Sequence, residues 1–284
     1  MKPIGQGLLS LLAALLLPPA TLSAAEAAAG KTVATPPADK ARFFLVLLAG
    51  QSNMAGRGPV DPADNEPHPR VLMLDRDGDW VPAVDPVHYD KKGAGVGPGR
   101  AFARKLVEAD ETLVVGLIPT ACGGSPISVW EPGRYFDQTD SHPYDDALAR
   151  TRRALRDGTL GALLWHQGES DKNDKNSAAH HDRLRALLLR FRADLEAPDL
   201  PIVIGQLGTP PPEWAANLAR VDAAHRAMTR ALPRVAFARA DGLKLLGDNL
   251  HFDTPSQREF GLRYYDAYQR ILKGENIAEP ADGE

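Results

Sequence analysis

A serine and a histidine far apart in the sequence could together carry out hydrolytic chemistry. Ser52 lies in the segment Ala49–Gly58, directly after the apolar run Phe43–Leu48. Open α/β sheets bind ligands at the carboxyl edge of their strands, so a serine in a glycine-flanked turn at that edge is a candidate nucleophile. Asp248 and His251 could supply the carboxylate and the imidazole that such a serine needs.

The turn around Ser52 differs from that of the α/β-hydrolases, although the order serine, aspartate, histidine is the same. Those enzymes need glycine two residues after the serine, and Met54 occupies that position here. They also separate the acid from the histidine widely, whereas Asp248 and His251 can be neighbours on one turn. The sequence therefore predicts another serine-hydrolase architecture, and the alternative role for Ser52 is to cap the following helix.

Apolar strand-like runs alternate with amphipathic helical stretches, which favours a parallel sheet buried on both faces. The predicted strands are Phe43–Leu48, Val71–Leu74, Thr112–Ile118, Gly161–Trp165, Ile202–Gly205 and Val235–Ala238. The predicted helices are Gly99–Ala109, Tyr144–Arg156, Ala178–Leu195, Pro212–Leu232 and Pro255–Leu272. The last helix has Thr254 as its expected N-cap and Gln257 as the partner in a capping box.

Four sequence blocks carry a resemblance to known enzymes, and they are AGQSNMAGRG, ACGGSPISVW, WHQGESD and DNLHFD. Together they resemble the SGNH hydrolase superfamily and, within it, carbohydrate esterase family 6 and the sialate O-acetylesterase-like proteins. The resemblance spans roughly residues 42–272. It implies a three-layer α/β/α sandwich with a mostly parallel five- or six-stranded sheet, flavodoxin-like in the manner of the SGNH hydrolases.

The same resemblance implies a carbohydrate O-acetylesterase that works through an acyl-enzyme, with Ser52, Asp248 and His251 as the catalytic residues. The implied substrate is acetylated xylan or a related polysaccharide or oligosaccharide, and a sialate O-acetylesterase is the alternative. Two other hypotheses remain open. One is a carbohydrate-binding protein on the same fold without turnover, and the other is a lipid or thioester hydrolase.

An oxyanion hole needs donors directed at the charge that develops on the attacked carbonyl. The resemblance implies the backbone N–H of Ser52, the backbone N–H of Gly124 and the side chain of Gln167. Gly123, next to Gly124, is a possible auxiliary donor. Gln167 stands where the superfamily normally has asparagine, and its amide is also a neutral donor.

Glu169 leaves an alternative open, because it could orient His251 in place of Asp248 or together with it. It could instead hold its own loop through hydrogen bonds. We expect neighbouring His166 to be a packed residue, and His180-His181 to be solvated on a charged helical stretch. Without ligand partners at useful spacing, the sequence indicates no metal site and no organic cofactor.

Arg57, Trp130 and Glu131 are candidates for lining the substrate site, since an aromatic ring suits stacking on a sugar. Ordinary surface packing is the alternative for each of them. The glycine-rich segment Gly93–Gly99 lacks the spacing of a dinucleotide fingerprint. Cys122 is expected to be a small buried apolar residue, and a single cysteine excludes an intramolecular disulfide.

Composition and the amino terminus restrict the possible partners and the location. The chain has 284 residues and a formal net charge of −4, with no basic patch, which argues against nucleic acid as a partner. Lys2, the apolar run Leu8–Leu17 and a small-residue cleavage site predict an export signal, and hence a periplasmic or secreted protein. The apolar run is shorter than the about 20 residues needed to span a bilayer, so no stable membrane insertion is expected.

The sequence divides into four predicted segments, of which one is a folded domain. No repeat interrupts the alternation of strands and helices, and roughly 250 residues are compatible with a single α/β core. The segments are a signal peptide at 1–27, a disordered lead-in at 28–41, the esterase domain at 42–274 and a flexible tail at 275–284.

Overall fold

The strands of the fold are short apolar runs, with β1 (Phe43–Gly50) at the centre. The computed structural model describes Met1 and residues 32–275. The other strands are β2 (Val71–Leu74), β3 (Trp80–Pro82), β4 (Val114–Pro119), β5 (Thr159–His166), β6 (Ile202–Gly205) and β7 (Val235–Ala238). In the described part of the chain these seven strands form one sheet with the order β3-β2-β4-β1-β5-β6-β7, and all neighbours are parallel except β2 and β3.

Helices cover both faces of the sheet and produce three layers. Successive side chains of a strand point to opposite faces, so Phe43 and Leu45 belong to one core cluster while Val46 and Leu48 belong to the other. The helices are α1 (Ser52–Ala55), α2 (Gly99–Ala109), α3 (Pro143–Ala154), α4 (Asp174–Asp194), α5 (Pro212–Ala231) and α6 (Thr254–Leu272). Helices α3, α4 and α5 pack on the first face of the sheet, and α2 and α6 pack on the second.

The three-layer α/β/α sandwich with a mostly parallel sheet is confirmed, but the expected number of strands was too low. The missed strand is β3, which pairs antiparallel with β2 at the edge of the sheet. It has only three residues and ends in proline, so it carries no periodic pattern that a sequence analysis could detect.

Helix ends differ from the predicted ones where a polar side chain caps the helix earlier. Asp253, rather than Thr254, is the N-cap of α6, and its carboxylate accepts a hydrogen bond from the N–H of Ser256. Helix α4 begins four residues before the predicted start of Ala178, after an N-cap of Asn173. In both cases the cap depends on the backbone conformation that precedes the helix.

The predicted signal peptide at 1–27 lies outside the described residues apart from Met1, as does the tail after residue 275. Of the predicted lead-in at 28–41, the described part makes specific contacts with the fold. The N–H of Ala34 donates to the carbonyl of Trp80 at 2.8 Å, and Ala34 packs on the core cluster. Among the described residues, none of the helices has the length and apolar character required to cross a bilayer.

The N-cap of α6 can be tested by stability. Replacing Asp253 with alanine should lower the free energy of unfolding by about 1 kcal/mol, because the first turn of the helix loses its side-chain acceptor. Chemical denaturation of the wild type and the variant measures this difference. The control is Thr254→Ser, which keeps the hydroxyl that donates to the carbonyl of Pro59 and should leave the free energy of unfolding nearly unchanged. An Asp253→Ala variant as stable as the wild type would show that the carboxylate of Asp253 does not cap the helix.

Candidate active site

The turn that presents Ser52 is fixed by the close approach of β1 to β5. Gly50, the last residue of β1, has φ of +130°, and a Cβ there would lie 2.0 Å from the carbonyl oxygen of His166. Only glycine fits that position. Ser52 follows as the first residue of α1, at the carboxyl edge of the sheet. The sequence-predicted location of this serine is therefore the observed one.

The structure brings Ser52, Asp248 and His251 together. Nε2 of His251 lies 2.9 Å from Oγ of Ser52, and Nδ1 of His251 lies 2.6 Å from Oδ2 of Asp248. The other carboxylate oxygen of Asp248 accepts hydrogen bonds from the N–H groups of Leu250 and His251, each at 3.0 Å. Partial burial raises the pKa of Asp248, but hydrogen bonds from the backbone and ring of His251 and from Leu250 outweigh it and lower the pKa below its usual value.

Glu169, the other carboxylate considered for His251, contacts different residues. Its Oε1 accepts a hydrogen bond from Nδ2 of Asn53 at 2.6 Å and lies 3.2 Å from Nε2 of His166. Burial raises the pKa of Glu169, and the nearby His166 and the hydrogen bonds from His166 and Asn53 more than offset this, so the pKa falls below its usual value. Within the described residues, it is Asp248 that hydrogen-bonds the imidazole of His251.

Asn53 was not identified by sequence analysis, although it holds the backbone on both sides of His251. Its Nδ2 donates to the carbonyl of Leu250 at 3.1 Å, and its Oδ1 accepts from the N–H of Phe252 at 3.1 Å. The bond to Glu169 anchors the same amide. The sequence signal that could have identified Asn53 is its amide side chain directly after the candidate nucleophile.

Ser52 and Gly124, which line the same cleft, each have an unpaired backbone N–H group. In the described part of the chain, neither of these N–H groups has a hydrogen-bond acceptor, so both are available to bind an anion. The N–H of Gly123, by contrast, donates to Oδ2 of Asp90 at 2.8 Å. Gly124 has φ of +87°, a conformation that favours glycine. Of the two adjacent glycines, Gly124 is the one with an available donor.

The side chain of Gln167 is fully buried and does not line the cleft at Ser52. Its Nε2 donates to Oδ2 of Asp171 at 2.8 Å and to the carbonyl of Ser125 at 3.2 Å. This placement corrects the expectation that the Gln167 amide faces the substrate. The reason is the nearby carboxylate of Asp171, which competes for the amide and whose direction the sequence does not reveal.

The cleft at Ser52 has a volume of about 600 Å³ and contains several cationic side chains. Arg57 lines it as expected and pairs with Asp90 at 2.7 Å. Nζ of Lys91 donates to Oε1 of Gln138 at 2.9 Å, and Nζ of Lys172 lies 3.3 Å from the ring centroid of Trp214. The residues lining the cleft are Gln51, Ser52, Arg57, Lys91, Gly123, Gly124, Pro126, Phe136, Gln138, Glu169, Ser170, Lys172, Asn176, Leu250 and His251.

Trp130 does not line the cleft, which corrects its assignment as a substrate-stacking residue. Its side chain is 1% exposed and packs edge-on against Trp165, with ring centroids 5.0 Å apart. Its indole N–H donates to Oγ of Ser125 at 3.0 Å. Glu131, which forms an ion pair with Arg134, also lies outside the lining. A tryptophan in a polar loop gives no sequence signal that distinguishes a stacking platform from a core residue.

The histidines other than His251 are buried more often than the sequence suggested. His166 is packed in the core as expected, but His180, expected to be solvated, is also fully buried. Nδ1 of His180 lies 3.1 Å from Oδ2 of Asp171, and its Nε2 lies 3.0 Å from Nε2 of His225. No group of three or more histidine, cysteine or acidic residues suited to a metal ion occurs among the residues that the structure describes.

Cys122 is buried as expected. Burial is the main cause that raises the pKa of its thiol, to about 11, so the thiol stays protonated at neutral pH.

The core role of Trp130 predicts a stability effect. Trp130→Ala should lower the free energy of unfolding by about 3–5 kcal/mol, because it removes a large side chain from a packed interior. Denaturant unfolding of the variant beside wild type measures this loss, and Tyr135→Ala, at an exposed aromatic in the same loop, is the control. An unfolding free energy of Trp130→Ala close to that of the wild type would show that Trp130 is not packed in the core.

A family match covers almost the whole described chain. The family described as carbohydrate esterase, sialic acid-specific acetylesterase, matches residues 42–270. The chain is 35% identical to a probable carbohydrate esterase of Arabidopsis thaliana over 246 residues, which is 79% of this chain and 89% of that protein. It is 26% identical to a probable 9-O-acetyl-N-acetylneuraminic acid deacetylase of Escherichia coli (strain K12) over 54% of this chain and 61% of that protein.

Solved structures show the same fold. An X-ray structure of the Arabidopsis thaliana protein superposes with a TM-score of 0.71 at 33% identity and covers 81% of this chain and 98% of that one. NanS has a TM-score of 0.65 at 20% identity, with 86% of this chain and 100% of that chain covered. On the extent of the family match and the identity to the plant relative, the chain belongs to the sialic acid-specific acetylesterase family of carbohydrate esterases and is a carboxylic ester hydrolase of O-acetylated carbohydrate.

Proposed function

We propose that the protein removes O-acetyl groups from carbohydrate through a covalent acyl-enzyme on Ser52. The observation that carries this proposal is the continuous hydrogen-bonded series from Asp248 through His251 to Ser52, with distances of 2.6 and 2.9 Å. A nucleophile, its base and the group that orients the base need these contacts.

In the acylation step, Oγ of Ser52 attacks the acetyl carbonyl while Nε2 of His251 accepts the hydroxyl proton. The negative charge on the former carbonyl oxygen is stabilised by the free N–H groups of Ser52 and Gly124. The tetrahedral intermediate then collapses, and His251 returns the proton to the departing sugar oxygen. The acetyl group remains bound to Ser52.

In the deacylation step, a water molecule attacks the acetyl-serine with His251 as the base. Acetate leaves, and Ser52 regains its proton. Asp248 holds the imidazole in the tautomer with hydrogen on Nδ1 and stabilises its charged form. Its lowered pKa supports this role, because the carboxylate is ionised in the pH range where His251 must act as a base.

The two substrates considered from the resemblance, acetylated xylan and O-acetylated sialic acid, differ in charge. Acetylated xylan remains the substrate that the resemblance to carbohydrate esterase family 6 indicates. A specific observation favours sialic acid as the second candidate: within the described residues, Lys91 and Lys172 line the cleft without an ion-pair partner. Two such cations suit a sugar that carries a carboxylate. Export to the periplasm or the medium stays a prediction of the amino-terminal sequence.

The serine mechanism is tested by acetate release from acetylated xylan and from O-acetylated sialic acid. Wild type should release acetate from at least one of them, and Ser52→Ala should lower kcat by about 10⁴-fold or more, since the nucleophile is lost. Circular dichroism of both proteins controls for folding. If folded wild type binds acetylated sugar without releasing acetate, the protein is a binding protein on an esterase fold.

The orienting carboxylate is tested by comparing Asp248→Asn with Glu169→Gln. Asp248→Asn should lower kcat by up to about 10⁴-fold, because an amide can hold the wrong tautomer of His251. Glu169→Gln keeps an acceptor for Asn53 and should lower kcat by about tenfold or less. Steady-state kinetics of both variants on one substrate gives the comparison, and a larger loss for Glu169→Gln would assign the orienting role to Glu169.

A further inference from the structure

The side-chain amide of Gln51, the residue before the nucleophile, has an orientation that the surrounding backbone fixes. Its Oε1 lies 3.3 Å from the backbone nitrogen of Gly168 and 3.3 Å from that of Ser170. Backbone N–H groups can only donate, so the atom that faces them must be the amide oxygen. The amide nitrogen of Gln51 therefore points the other way.

Gln167 reinforces the same orientation. Oδ2 of Asp171 accepts from the N–H of Ile127 at 3.1 Å, so it acts as an acceptor and requires Nε2 of Gln167 to face it. That nitrogen also lies 3.4 Å from Oε1 of Gln51. Asp171, Gln167 and Gln51 thus form a buried series in which Nε2 of Gln167 faces an oxygen of each of the other two residues.

The outward end of this series is a donor without a partner. Within the described part of the chain, Nε2 of Gln51 makes no hydrogen bond, and Gln51 lines the cleft together with Ser52 and Gly124. The residue is only 2% exposed, so its free N–H lies where water gives little competition. A fixed donor in such a place stabilises developing charge far more than a solvated donor does.

We propose that Nε2 of Gln51 is the third donor of the oxyanion hole, beside the backbone N–H groups of Ser52 and Gly124. This inference rests on the proposed acyl-enzyme mechanism and deepens it. In the tetrahedral intermediate, the former carbonyl oxygen accepts hydrogen bonds from all three groups. Gln167, for which this role was expected, then acts as a positioning residue that holds the amide of Gln51.

A purely structural role for Gln51 makes a different prediction, and one substitution separates the two. Gln51→Glu keeps an oxygen for the N–H groups of Gly168 and Ser170 but replaces the outward N–H with a carboxylate oxygen. A structural residue would tolerate this exchange. An oxyanion donor would not, because its hydrogen bond to the intermediate is lost and replaced by repulsion.

The experiment compares Gln51→Glu, the neutral variant Gln51→Met, and the control Gln206→Glu, which adds the same charge at a glutamine outside the cleft. Oε1 of Gln206 also accepts a hydrogen bond from a backbone N–H, that of Ala240, at 2.7 Å. The readouts are kcat and KM for acetate release, the melting temperature, and the rate at which a fluorophosphonate labels Ser52. In that labelling the Oγ–P bond forms, fluoride leaves, and the phosphoryl oxygen occupies the oxyanion hole.

We expect Gln51→Glu and Gln51→Met to lower kcat by about 10²–10³-fold with KM changed only a few-fold, as for the loss of one oxyanion donor. Labelling of Ser52 should slow in parallel. Gln51→Glu should melt within a few degrees of the wild type, and Gln206→Glu should change kcat by less than about tenfold.

The inference is overturned if Gln51→Glu keeps kcat and labelling within tenfold of wild type, or if Gln206→Glu loses as much as Gln51→Glu. Wild-type turnover and labelling of Ser52 would leave the proposed function standing in either case. If wild type is labelled but releases no acetate, the labelling rates of the variants decide. If wild type is neither active nor labelled, the proposed function fails and the inference fails with it.

Discussion

The three hydrogen bonds of the Asn53 side chain join the two distant parts of the chain on which the site depends. Asn53 belongs to the helix that begins with Ser52, and its amide binds the backbone of Leu250 and Phe252 on either side of His251. Glu169 receives its remaining N–H at 2.6 Å. Because the amide is buried, losing any of these bonds would leave an unpaired polar group inside the protein. The contact of 2.9 Å between His251 and Ser52 is thus maintained by groups that do not themselves react.

The same arrangement separates the roles of the two acidic residues near the histidine. Glu169 is buried and engaged with Asn53 and His166, whereas the half-exposed Asp248 faces the imidazole of His251. One carboxylate therefore holds its own loop from within, and the other hydrogen-bonds the imidazole of His251. Both pKa values lie below their usual range although burial raises them, because the nearby His166 and hydrogen bonds lower the pKa of Glu169, and hydrogen bonds lower that of Asp248.

Behind the cleft, a buried polar series connects the sheet edge with the helices of one face. Asp171 binds Gln167 and also His180 of α4, and His180 contacts His225 of α5. These residues are fully buried. Buried hydrogen bonds between elements favour the arrangement of those elements in which the bonds can form. The series thereby gives the turn after β5 a fixed position relative to Gln51 and Ser52.

The sequence by itself determined six of the seven strands, the family, and Ser52, Asp248 and His251 as candidates for one site. Runs such as 43–48 and 202–205 are apolar enough to be buried strands, and their alternation with helices leaves few topologies. Parallel strands bring their carboxyl ends to one edge, so the sequence alone assigns Ser52, at the end of β1, to that edge. The D-x-x-H spacing likewise placed Asp248 within reach of His251.

Only the tertiary structure decided which polar and aromatic side chains face the cleft. A glutamine amide can turn either way. Asp171 orients the amide of Gln167, and the backbone N–H groups of Gly168 and Ser170, far from Gln51 in the sequence, orient the amide of Gln51. Trp130 is in the core because Trp165 of β5 packs against it. The three-residue β3 exists because β2 offers it an edge. Such choices depend on partners that the chain meets only after folding, whereas apolar periodicity and short spacings are local.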